Sequence, residues 1–199
     1  MRAVLFDLDG VFVESRDVWF QVMREIALKF GYPDISAEQM ERAWGQGIAD
    51  DARIFYPGMT VEQLEREYNS LFPQNVRHMK TMPGGAQTVD ELRTSGVAVA
   101  VVTNSPTEVA RAMLTQARVD PDVLVCGTDV ARPKPAPDGI LKALELLKIA
   151  ATEGVFVGDT KFDREAAQRA GIRFVGYRID GDLRIESLIE IVELLQNVR

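Results

Sequence analysis

Apolar residues fall into two rhythms along this chain. Five short segments are almost continuous in apolar, often β-branched residues: 2–6 (RAVLF), 97–102 (VAVAVV), 123–126 (VLVC), 155–157 (VFV) and 172–177 (IRFVGY). Runs without polar alternation predict strands covered on both faces, as in a parallel sheet. Helix-like stretches lie between them at 86–95, 107–117, 138–149 and 161–170, and Gly96 and Gly171 stand just past two of these, where a left-handed cap is favoured. Strand–helix alternation of this kind predicts a doubly wound α/β sheet.

Residues 14–82 follow the other rhythm. Val18, Val22, Ile26 and Phe30 recur every four residues with Trp19 and Met23 beside them, which predicts one amphipathic helix. Further helical patterns occupy about 36–44 and 60–71, with breaks expected at Gly31-Tyr32-Pro33, Pro57-Gly58 and Pro73. No strand is predicted there. The chain therefore reads as a core of residues 1–13 and 83–199, with a helical subdomain, 14–82, inserted after the first strand and closed by Met82-Pro83-Gly84-Gly85.

At 199 residues the chain is long enough to build a core without covalent staples, and its one cysteine, Cys126, excludes an internal disulfide. Asp7 interrupts the first apolar run, and no run approaches the roughly 20 apolar residues that span a bilayer. A cytoplasmic protein without a membrane partner is expected. The net charge of −7, with no basic cluster, argues against nucleic acid as a partner. It leaves room for a small phosphorylated metabolite, provided that a metal or a local lysine meets the phosphate.

Ligands of open α/β sheets gather at the carboxyl ends of the strands. The first predicted strand is followed by Asp7-Leu8-Asp9-Gly10 and the second by Thr103-Asn104-Ser105-Pro106. Arg132-Pro133-Lys134-Pro135 lies beyond the third, and Gly158-Asp159-Thr160, with Asp163, beyond the fourth. Taken singly, each has an ordinary explanation: a turn aspartate, a helix cap or a solvated lysine. A calcium loop is ruled out because Val11 and Val18 stand where oxygen ligands would be needed. Taken together, the four clusters suit phosphoryl transfer. A carboxylate can attack phosphorus, Mg²⁺ held by Asp7 and Asp159 can cancel the anionic repulsion, and Lys134 and Thr103 can hold phosphoryl oxygens. Asp9 can then move the proton.

The ordered motifs DLDG (7–10), VVTNS (101–105), RPKPAPD (132–138) and GDTKFD (158–163) resemble those of the haloacid dehalogenase superfamily. The similarity is to its phosphatase branch with a helical cap after the first motif, related to phosphoglycolate phosphatases and β-phosphoglucomutases. The resemblance implies Asp7 as nucleophile, Asp9 as general acid/base and Thr103 and Lys134 as phosphoryl binders. It further implies Mg²⁺ on Asp7, Asp159 and the Asp9 backbone carbonyl, and Asp163 as a supporting acid. Gly10, Asn104 and Ser105, with Gln46 and Gly47 from the AWGQGIADD loop (43–51), are expected beside the substrate. The stretch Gln46 to Asp51 of that loop, read as flexible at its glycines, is expected near the leaving group. The activity implied is hydrolysis of a phosphoglycolate-like or sugar phosphate through an aspartyl phosphate, by a monomer or homodimer.

Two departures keep other readings open. Val11 stands where many family phosphatases have threonine, as in the sugar phosphomutases, yet those carry a histidine in the first cap helix where this chain has Trp19. Arg132-Pro133 precede Lys134 where the family usually has glycine, so Arg132 is a possible substrate contact or a solvated side chain. His78 reads as a surface or structural residue. A non-catalytic phospholigand binder is the third reading, and the pairing of Asp7 with Asp9 speaks against it.

Overall fold

The computed structural model describes residues 1–196. From the first strand, β1 (Ala3–Phe6), the chain passes through β2 (Val13–Glu14) into four helices. These are α1 (Arg16–Phe30), α2 (Ala37–Ala43), α3 (Ile48–Phe55) and α4 (Val61–Asn75). It returns through β3 (Lys80–Thr81) and then alternates: α5 (Gly85–Thr94), β4 (Ala98–Val102), α6 (Thr107–Ala117), β5 (Val123–Val125), α7 (Asp138–Leu147), β6 (Gly154–Gly158) and α8 (Lys161–Ala170). The described part ends with β7 (Arg173–Tyr177), β8 (Leu183–Ile185) and α9 (Glu190–Gln196).

Six strands form one parallel sheet in the order β5-β4-β1-β6-β7-β8. The near-continuous apolar runs have the reason expected of them. Ala3, Leu5, Ala100, Val102 and Phe156 face α7 and α8, through Ile140, Ala143, Leu144, Ala166 and Ala167. Val4, Phe6, Val99, Val101 and Val157 face the other way, against Val89 and Leu92 of α5 and Val109 and Met113 of α6. Neighbours on both sides of β1 set the site: Phe6 is level with Val101 and Val157, so the chain leaves β4, β1 and β6 on one edge. The connections run outward from β1 to β5 and then cross to β6, which makes this edge the switch point where ligand crevices form.

The α1 stripe is buried along Val18, Val22 and Ile26, whereas Phe30, its predicted end, is exposed. Trp19 of α1 packs on Tyr68 and Phe72 of α4, with ring centroids 4.9 and 4.6 Å apart. α4 also touches α6.

Four features differ from the expectation. β2 and β3 pair antiparallel, Val13 with Thr81 and Glu14 with Lys80, so a short ribbon stands at the two crossings into the helical segment, where no strand was expected. Residues 48–51, read as part of the 43–51 loop, instead open α3, which starts after Gly47 and carries Asp50 and Asp51 in its first turn, where carboxylates favour a helix. Pro73 does not end α4. It falls in the last turn, where it removes one backbone hydrogen bond, and the side chains of Gln74 and Asn75 donate to the carbonyls of Ser70 and Leu71. β8 is three residues long, too short to register as an apolar run. No helix among the described residues is long and apolar enough to cross a membrane.

Candidate active site

Asp7 leaves the end of β1 with its backbone N–H bonded to the Val157 carbonyl, 2.8 Å away, and its side chain is buried. Lys134 comes to it from the loop before α7. Asn104, following β4, clamps that loop: its Oδ1 accepts the Lys134 backbone N–H (2.9 Å) and its Nδ2 donates to the Lys134 carbonyl (2.8 Å). The Lys134 ammonium is buried between Asp7 Oδ1 at 2.6 Å and Asp163 Oδ1 at 2.7 Å. Only the contact to Asp163 is aligned as a hydrogen bond, so Asp7 Oδ1 is held by charge and lacks one.

Asp163 is fixed by the start of α8. Its Oδ2 accepts from the Thr160 N–H (2.9 Å) and hydroxyl (2.6 Å), while Thr160 caps the helix in return. Close approach of backbone makes the acidic cluster possible. A Cβ on Gly158 would fall 2.5 Å from Asp163 Cβ, and one on Gly10, whose φ is +80°, would fall 2.0 Å from Asp159 Oδ2. Carboxylate oxygens of Asp7, Asp159 and Asp163 lie within 4.8 Å of one another.

Three carboxylates share one ammonium there. Burial, then the charge of Asp163, raises Asp7 above the ordinary carboxylate range against the pull of Lys134. Burial and the charges of Asp163 and Asp7 do the same to Asp159. Burial by itself would lower Lys134, but Asp163 and Asp7 outweigh it and hold the ammonium charged.

Asp9 has another environment. Its side chain turns to α1 and the β4 edge, where Oδ1 accepts from Trp19 Nε1 at 2.9 Å and from the Ser15 hydroxyl. Oδ2 accepts from the Ser105 hydroxyl at 2.8 Å, with Thr103 Oγ1 at 3.5 Å. Replacing Trp19 by phenylalanine keeps an aromatic ring there but removes the indole N–H that orients Asp9. Steady-state turnover of the phosphomonoester that the motifs imply as substrate is expected to fall about tenfold, with the melting temperature little changed. Undiminished turnover would mean that Ser15 and Ser105 suffice to place Asp9.

The two aspartates line one cavity of about 60 Å³ together with Thr103, Asn104, Ser105 and Lys134. The helical segment closes it with Trp19, Met40, Trp44, Gln46, Asp51 and Tyr68 among others. Gln46 Nε2 donates to Asp51 Oδ1 (2.6 Å) and the Tyr68 hydroxyl to Oδ2 (2.9 Å).

Sequence reasoning chose residues that mostly converge here, with exceptions. Gly47 packs against Pro133, where a Cβ would lie 2.9 Å from Cγ, and Gly10 packs on Asp159; neither lines the cavity. Asn104 spends its amide on backbone, donating also to the Gly45 carbonyl (2.9 Å), so it ties the helical segment to the core. Arg132 is exposed and paired with Asp138, and His78 is an exposed partner of Arg77. Asp51 belongs to the 46–51 stretch expected near the leaving group, and it does line the cavity; Tyr68 was missed as a site residue. Nothing local in sequence brings Tyr68, from the next helix, onto Asp51.

Burial pushes Asp51 up to about 6, with hydrogen bonds from Gln46 and Tyr68 opposing and Asp50 adding. A carboxyl whose folded value exceeds the unfolded 3.8 holds its proton more tightly when folded, so ionisation weakens the fold as pH rises from about 4 to about 6. Thermal melts of Asp51→Asn are therefore expected to lie about 2–4 °C above the parent protein at pH 8, the gap closing toward pH 4. Equal melts at both would contradict this.

The family model described as haloacid dehalogenase-like hydrolase matches residues 4–177. A phosphoglycolate phosphatase from Aquifex aeolicus is 29% identical over 87% of this chain and 83% of its own length. A phosphorylated carbohydrates phosphatase from Thermotoga maritima is 25% identical over 86% of this chain and 82% of its own. Among solved structures, CbbY from Rhodobacter sphaeroides in complex with phosphate superposes with a TM-score of 0.84 at 23% identity, covering 96% of both chains, which establishes the shared fold.

Proposed function

We propose, because this chain belongs to the haloacid dehalogenase-like hydrolase family, that it hydrolyses a small phosphomonoester, of phosphoglycolate or sugar type, through an acyl phosphate on Asp7. One observation carries the reading: two aspartates line the same cavity in opposite settings. Asp7 stands beside Lys134 in the acidic cluster, and Asp9 lies in a cage of hydroxyl and indole donors. Separated settings of this kind are what two carboxylates need for two roles. The relatives named as phosphatases support the same reading.

The acidic cluster fits a divalent ion. Asp159 Oδ1 is buried without a partner, Asp7 Oδ1 is met only by the charge of Lys134, and an all-oxygen donor set of this kind suits Mg²⁺. Asp163 has both oxygens engaged by Lys134 and Thr160, so Asp7 and Asp159 would hold the ion, with the Asp9 carbonyl as the third expected ligand. Bound there, it would neutralise the charge of phosphate against carboxylate. Asp7 attacks phosphorus and the ester P–O bond breaks, while Asp9 gives the departing oxygen its proton. Lys134 and the Thr103 hydroxyl steady the phosphoryl oxygens. In the second half, a water loses its proton to Asp9 and attacks phosphorus, releasing phosphate and the Asp7 carboxylate. The helical segment that covers the cavity acts as the cap.

Trp19 favours hydrolysis over the mutase reading, because the side chain touching Asp9 is an indole, a donor that cannot relay protons. p-Nitrophenyl phosphate should be hydrolysed with Mg²⁺ and not after chelation by EDTA. A hexose 1-phosphate converted to its 6-phosphate, rather than to free phosphate, would favour the mutase. Binding of phosphate and metal without turnover of any ester would favour a non-catalytic binder.

A further inference from the structure

The cavity wall facing the phosphoryl site has a chemistry that separates substrate classes. Of the cavity's lining carboxylates, Asp7 and Asp9 belong to the phosphoryl site and Asp51 to the wall opposite, and among the described residues the lining contains one cation, Lys134. That ammonium is already shared by Asp7 and Asp163. The nearby arginine of the third motif, Arg132, is exposed and paired with Asp138. A leaving group carrying a carboxylate would enter a wall that offers it a like charge and no free counter-charge.

Asp51 is also built to receive a donor. Gln46 and Tyr68 each engage one of its oxygens and fix its orientation, and the loop bearing Gln46 is tied to the core through the Gly45 carbonyl and Asn104. A carboxylate has about four acceptor sites, so two hydrogen bonds leave capacity for another. Trp44, from the same wall, keeps a buried indole N–H without an acceptor. A buried donor left unpaired is unfavourable, and a ligand oxygen would relieve it. An ammonium could serve Asp51 but not Trp44. A carboxylate could serve Trp44 but not Asp51. A hydroxyl can do either, donating to Asp51 or accepting from Trp44.

We infer, given the hydrolase proposed above for this same site, that Asp51 is a specificity-determining residue that accepts a hydrogen bond from a hydroxyl of the leaving group. The preferred substrates are then phosphate esters of small uncharged polyols or sugars rather than of acids or amines. Steady-state kinetics with Mg²⁺ on glycerol phosphate, phosphoglycolate, phosphoethanolamine and p-nitrophenyl phosphate test this. The wild type should show kcat/KM for glycerol phosphate about tenfold or more above phosphoglycolate and phosphoethanolamine. In Asp51→Asn, the ratio of kcat/KM for glycerol phosphate to that for p-nitrophenyl phosphate should fall about tenfold, and the ratio for phosphoglycolate should not. Trp44→Phe gives a second test, at the other polar group of the wall, with the same ratio falling. A wild-type preference for phosphoglycolate or phosphoethanolamine, or ratios unmoved in both variants, would overturn the inference while p-nitrophenyl phosphate turnover left the hydrolase standing. No turnover of any of the four by the wild type would overturn the hydrolase reading and this inference with it.

Discussion

Asp7→Asn is expected to lower phosphomonoester turnover about a thousandfold or more while leaving the fold as stable as before, or more so. The first half follows from the nucleophile's place in the reaction: an amide does not attack phosphorus, and the residues left behind can only bind. The second half follows from electrostatics. Burial and Asp163 raise Asp7 above the carboxylate range, so its ionisation at neutral pH works against the fold, and a neutral isostere removes that burden. Kinetics and thermal melts on the same preparation separate the two effects. Lost activity accompanied by a lower melting temperature would indicate that Asp7 is a structural residue.

Lys134→Met has the opposite signature, and its largest effect is on stability. The ammonium sits 2.6 Å from Asp7 and 2.7 Å from Asp163, with all three side chains buried. Removing the cation leaves two carboxylates facing each other beside Asp159. Loss of one partner from a buried ion pair costs about 3–5 kcal/mol. Denaturant unfolding should show that loss, Mg²⁺ should recover part of it, and turnover should fall as well. A variant as stable as the parent would mean that the carboxyls are protonated in the folded protein and that Lys134 carries little of the charge balance.

The core was legible because its strands are covered on both faces, so burial writes itself into sequence as unbroken runs such as VAVAVV, and each polar cluster begins where a run stops. That is why Asp7, Thr103 and Asp159 could be located one by one. Elements that draw stability from their neighbours left fainter marks. β8 and the β2–β3 ribbon are two or three residues long and exist through pairing. α3 follows the glycine-flanked stretch Gly45-Gln46-Gly47, and a composition that reads as flexibility conceals how tightly it packs. Gly47 is small because Pro133 lies against it, and Gly45 because Thr160 and Phe162 do.

Roles were harder to read than places. Asn104 follows β4 in a motif that points to substrate, yet its amide holds the Lys134 loop and the Gly45 carbonyl, contacts between residues 30 and 59 positions apart in the chain. Asp51 resembles any helix-start aspartate until Tyr68 is brought against it from the next helix. Pairings that tertiary structure alone creates have no local signature, so the 46–51 stretch was expected near the leaving group but its partner Tyr68 emerges only from the folded chain.

The decisive measurement is borohydride trapping during turnover of p-nitrophenyl phosphate with Mg²⁺, followed by peptide mass spectrometry. Reduction of an acyl phosphate converts the aspartate that carried it into homoserine. Homoserine at position 7, absent without substrate, is the predicted result. Turnover with Asp7 unmodified, or homoserine at Asp9 instead, would contradict it.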